Sequence, residues 1–94
     1  MTVTGPVWFW RGPAPFHFVT VGPEESDQLA ATSAVVSYGW GMIPVTARIG
    51  ATEWATSLFP KDGGYIVPLK TSVRRSLEIE PGDMVTISLA VAGS

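Results

Sequence analysis

The chain contains no cysteine, which removes disulfide frameworks, thiolate metal sites, iron–sulfur clusters and cysteine nucleophiles together. Its single histidine, His17, cannot by itself build a zinc site of two or three imidazoles. Asparagine is absent too, so N-glycosylation has no acceptor. Charge is scarce: six basic and eight acidic residues give a net charge of −2. That is a poor electrostatic footprint for phosphate neutralisation, so nucleic acid is not the expected partner. No run approaches the ~20 apolar residues of a membrane span. The opening MTVTGPVWFW lacks the basic lead-in and apolar run of a signal peptide. A soluble, cytoplasmic protein is the expectation.

What is present is apolar and rich in turns. Hydrophobic residues make up 46% of the chain, which separates it from disordered sequences. At 94 residues it reads as a single domain, 1–94; the surface scaling rule leaves about 5,200 Å² exposed and buries about 64% of the open chain's area. The 10 glycines and 8 prolines follow no repeat, so they punctuate rather than build a solenoid.

Val7–Arg11 (VWFWR) and Phe16–Val21 (FHFVTV) are aromatic and β-branched runs joined by Gly12, Pro13, Ala14 and Pro15, the pattern of two neighbouring strands. Trp8 and Trp10 share one face, as do Phe16 and Phe18, while Phe9, Val19 and Val21 load the opposite faces. Both sides of this pair are therefore expected to meet something apolar, in a closed barrel or a helix-covered sheet. The segment 22–37 reads as a short amphipathic helix: Pro23 suits a first helical position, and Glu24, Glu25 and Asp27 suit the positive end of the helix dipole. Leu29, Ser33 and Val36 give it a thin apolar stripe.

From Trp40 to Ile49 the chain alternates, with Ile43, Val45, Ala47 and Ile49 on one face and Met42, Pro44, Thr46 and Arg48 on the other. Gly50-Ala51 turns into TEWATSLFP, and Lys61-Asp62-Gly63-Gly64 turns into YIVPLK. Pro44 and Pro68 inside these runs require sheet edges or bulges. TSVRRSL reads as a helix with Val73 and Leu77 inward. Glu80-Pro81-Gly82-Asp83 suits a type II turn. MVTISLAV then alternates Val85, Ile87, Leu89 and Val91 against Thr86, Ser88 and Ala90. The order β-β-α-β-β-β-α-β leads to a mainly β fold: a closed six-stranded small barrel with two short helices.

The segments YGWGMIPVTARIGATEWATSLFP, GGYIVPLKTSVRRSL and EPGDMVTISLAV resemble the bacterial domain-of-unknown-function family 1905. The likeness runs over nearly the whole chain, and its VPLK stands where an LPLK-like segment is usual. The resemblance implies a barrel related in architecture to double-split barrels. Distant barrels of that architecture, the AbrB-like regulators and antitoxins, bind DNA as intertwined dimers. Members of the family are sometimes joined to a second domain of the type called YdeI or OmpD-associated. The resemblance implies no particular activity.

Catalytic motifs are sparse. His17 with Ser57 and an aspartate lacks any GxSxG context and sits between Phe16 and Phe18 in a strand. Ser57 and Lys61 are spaced as a weak Ser–Lys pair. The carboxylates follow no calcium-loop spacing, so no metal and no cofactor are expected. Gly39-Trp40-Gly41 precedes a strand instead of opening a helix, so it reads as turn glycine and not as a phosphate loop. The remaining polar and aromatic set is Trp40, Arg48, Glu53, Trp54, Ser57, Lys70, Arg74 and Arg75. Arg48 and Glu53 are expected to form an ordinary ion pair across the Gly50 turn. The functional reading is a cleft for an anionic or aromatic ligand, with guanidinium clamps and indole walls. Its candidate binding residues are Trp40, Arg48, Trp54, Ser57, Lys70 and Arg74.

Three functions are weighed. A non-enzymatic binding module for a small molecule or a protein segment comes first. A cofactor-free enzyme using His17, Glu53 and Lys70 comes second. An AbrB-like DNA binder using Arg74 and Arg75 comes third, since fold analogy does not carry function. A monomer or a homodimer is expected.

Overall fold

In the computed structural model, which describes residues 1–13, 15–36 and 41–92, the strands are β1 (Thr2–Trp10), β2 (Phe16–Thr20), β3 (Ile43–Ile49), β4 (Thr52–Lys61), β5 (Gly64–Leu69) and β6 (Met84–Val91). The helices are α1 (Pro23–Val36) and α2 (Thr71–Ser76). Every strand pairing is antiparallel, and the order β1-β2-β5-β4-β3-β6 closes on itself through β6 and β1. The six-stranded barrel with two helices is as the sequence predicts.

Period-two alternation fills the barrel. Val3, Val7, Val19, Ile43, Val45, Ala47, Leu58, Val67, Ile87 and Leu89 point inward and are buried. Val7, Val19 and Val67 form one inward row across β1, β2 and β5. Leu29 of α1, Val73 of α2 and Ile79 join the same core. A buried aliphatic side chain contributes roughly 1.5–3 kcal/mol, so this cluster is the main source of stability. α1 packs against β5 and β3.

The turns follow their residues. Gly50 (φ 59°) leads the two-residue link between Ile49 and Thr52, as a type II′ hairpin requires. Asp62 (φ 51°) and Gly63 (φ 80°) link Lys61 to Gly64, the two positive φ values of a type I′ turn. Gly82 (φ 94°) takes the third position of the Glu80–Asp83 turn, which closes with the Asp83 N–H donating to the Glu80 carbonyl at 3.0 Å. α2 ends in a Schellman motif: Ile79 N–H donates to the Arg74 carbonyl (2.9 Å), Glu78 N–H to that of Arg75 (3.2 Å). Glu78 occupies the left-handed position at φ 54°.

A closed barrel has no edge strand, yet it holds Pro44 and Pro68. The Pro68 carbonyl accepts from the Trp54 indole on the β4 side (3.3 Å). A strand residue's nitrogen points the same way as its carbonyl, and the β4–β5 ladder covers only Phe59–Lys61 with Gly64–Ile66. The missing N–H of Pro68 therefore falls where that ladder has ended. Likewise the Pro44 carbonyl accepts from Ala92, just beyond the last β3–β6 pair, Val45 with Val91. Both prolines sit at seams in the barrel wall.

The first strand begins at Thr2, not at Val7. Thr2–Pro6 pairs with Ser88–Met84 of β6, a contact between opposite ends of the chain.

Candidate functional site

The outer face of β1, β2 and β5 is aromatic. Register sets Trp8 opposite Phe18 and Phe18 opposite Pro68, so these form one outward row. Trp10 stands opposite Phe16 in the next row, and Ile66 stands opposite Phe59 of β4. Together they line a groove of about 610 Å³, within the range of small-molecule sites, about 300–1,000 Å³. Phe18 and Ile66 are buried beneath it, whereas Trp10 is 43% and Phe59 39% exposed. Lys61 and Lys70 are its charged members.

The walls are held in place. The Trp8 indole N–H donates to Thr20 Oγ1 at 2.9 Å, and its ring lies 5.1 Å from that of Phe18. Phe16 stands 5.8 Å from Phe18 at 51°, a tilted geometry that favours ring edges meeting faces. Trp10 lies over Gly12, so close that a Cβ there would strike the indole. Gly12 is thus required for the ring's position as well as for the β1–β2 link. Behind the groove, the Trp54 indole N–H bonds the Pro68 carbonyl and bridges the seam that the β4–β5 ladder leaves.

Both faces of the β1–β2 pair are apolar, as the sequence predicts: the inner one joins the core, and the outer one lines the groove with residues of β4 and β5. Among the described residues neither helix lines the groove; of the two arrangements expected, the closed barrel is the one found. A barrel wall has an outside, and the aromatic rings here cover one another. The signal was in the sequence: aromatics at period two on both strands load the face that the valines do not occupy.

The predicted binding residues occupy several environments. Lys70 lines the groove. Trp54 is buried in the core and hydrogen-bonds the carbonyl of Pro68, a groove residue. Arg48 is exposed on β3, and Ser57 is half-buried on β4 opposite Pro44. Arg74 is partly buried on α2, with Nη1 reaching the Ile79 carbonyl at 3.5 Å and Nε buried without a partner. Trp40 and Gly39 lie outside the described residues, as do the side chains of Ser33 and Val36. Trp10, Phe16 and Phe18 were missed as site residues because each reads equally well as core.

Arg48 and Glu53 are direct cross-strand partners, as expected. Their charges nevertheless lie beyond ion-pair distance, and the one ion pair among the described residues joins Lys61 to Asp62 at 3.4 Å. Both side chains are exposed at the hairpin, where an ion pair gains too little to fix two long side chains.

The catalytic candidates stand apart. His17 pairs with Phe9 and Leu69 on the inward row, its ring 4.7 Å from that of Phe9. Desolvation lowers its pKa below 6.5, the Arg74 charge acts the same way, and Glu80 opposes both. Glu53 is exposed on β4, and Lys70 faces the outer groove. Among the described residues no group of three or more His, Asp or Glu could hold a metal ion. No described helix is long and apolar enough to cross a membrane.

No curated protein matches the chain. The family described as domain of unknown function (DUF1905) matches residues 4–89. That span takes in both helices and nearly all of the strands that build the barrel and its groove; the chain belongs to domain-of-unknown-function family 1905.

Proposed function

We propose that the chain is a non-enzymatic binding module which takes a small molecule or a protein segment into the aromatic groove of its outer barrel face. The observation that carries this reading is an apolar hollow of about 610 Å³ that, among the described residues, neither helix lines. Exposed apolar concavities are uncommon on soluble domains without a partner for them. Preorganisation supports it: Trp8 is already fixed by Thr20 and Phe18, so binding sacrifices little side-chain freedom there. The groove also offers π-faces, which add to area burial when an occupant stacks.

The test is a fragment screen followed by amide and indole N–H resonances. Small aromatic and aliphatic fragments and short apolar peptides are expected to shift Trp8, Trp10, Phe16 and Ile66 together. Binders that consistently shift the Arg48–Glu53 hairpin instead, or a screen with no binder at all, would overturn the assignment.

A further inference from the structure

We infer that the occupant of this groove is an amphipathic organic anion: an aromatic or branched aliphatic body carrying one carboxylate or sulfonate. The inference rests on the groove being a binding site and adds the chemistry of what binds. Its first support is charge. Lys61 and Lys70 line the groove, and no carboxylate of the described residues does. Lys61 is already engaged with Asp62 at 3.4 Å, whereas Lys70 has no ion partner among the described residues. The backbone of Lys70 is anchored, its carbonyl accepting the Arg74 N–H at 2.9 Å as α2 begins, so the open ammonium extends from a fixed base.

The second support is the hydrogen-bonding inventory. Trp8 and Trp54 spend their indole N–H groups on Thr20 and Pro68, but that of the exposed Trp10 has no partner among the described residues. An ammonium and an indole N–H are donors only. Their complement is a group that only accepts, which an ionised carboxylate or sulfonate is. An extended peptide would bring as many N–H donors as carbonyls, and the side chains here supply Thr56 alone as an acceptor. A second copy of the chain, docked about a two-fold axis, would lay these lysines against a patch with no acid to meet them. The volume suits one small molecule.

Three probes of one shape test this: 2-naphthoate, 2-naphthylmethanol and 2-naphthylmethylammonium, titrated by NMR into the intact chain and into Lys70→Gln. The anion is expected to bind about fivefold tighter than the alcohol, near the upper end for an exposed ion pair. Added salt should erode that margin, and Lys70→Gln should abolish it, bringing the anion's affinity down to the alcohol's. The Lys70 side chain makes no capping bond to α2, so the variant is expected to fold; the salt series on the unaltered chain decides the matter independently. Equal affinity for all three probes overturns the anion while leaving the groove a binding site. Preference for the ammonium overturns it in favour of cation–π attraction by the rings. If no probe shifts Trp10 or Phe16, both readings fall.

Discussion

Glu78 holds the left-handed position that closes α2, at φ 54°, where a side chain is strained and glycine is not. Glu78→Gly is therefore expected to raise stability by about 1 kcal/mol, read as a higher denaturant midpoint with an unchanged slope; a lower midpoint would mean the Schellman geometry is wrong. His17 carries the opposite kind of tension. Burial and Arg74 hold its folded-state pKa below 6.5, so on acidification the unfolded chain takes the proton first. The stability tied to this group is complete above the unfolded value and is lost as pH falls through the folded one. Urea midpoints should decline from neutral to mildly acidic pH, and His17→Gln should flatten that part of the decline. An unaltered profile in the variant would place the titration elsewhere.

At the scale of elements, short-range chemistry decides most of the outcome. Asp62-Gly63 and Pro81-Gly82 were legible as turns because positive φ demands glycine or a tolerant polar residue. Nothing lies within 4 Å of a Cβ added at Gly63 (φ 80°), so Gly63→Ala isolates the backbone term. It should destabilise the chain by roughly 1–2 kcal/mol without disturbing the core, as thermal unfolding and an unchanged core NMR pattern would show. The inward alternation of β3 and β6 was equally legible, since a one-residue slip would turn every apolar side chain out. Thr2–Pro6 was not legible as strand. The pairing of Gly5 and Pro6 with Val85 and Met84 is made across the length of the chain, where no local pattern reaches. The prolines show the same limit: the sequence demanded edges or bulges for Pro44 and Pro68, but only the closed topology shows which ladders end beside them.

At the scale of the molecule, the groove separates from the core, and a variant can exploit that. Gly12 lies outside the strands, and a Cβ there would meet the exposed Trp10 ring and not the interior. Gly12→Ala should displace Trp10, weaken fragment binding about tenfold and shift the unfolding midpoint little, since the ring is free to swing into solvent. Normal binding in a folded Gly12→Ala protein would remove Trp10 from the site; a large stability loss would show that the ring belongs to the fold.

The amino-acid sequence alone dictated the order of strands and helices, the inward faces, the places of the turns and the absence of thiol chemistry. The last follows from the absence of cysteine; the others follow from dihedral preferences and apolar periodicities that a few neighbouring residues express by themselves. Which outward residues meet was decided only by closure. Trp8, Phe18 and Pro68 share a row because β5 lies beside β2, and Lys70 reaches that groove while Arg48, equally conspicuous in the sequence, is carried to another wall. The aromatic pattern is the same for a side chain facing a core and one facing solvent. Only the path of the chain around the barrel tells them apart.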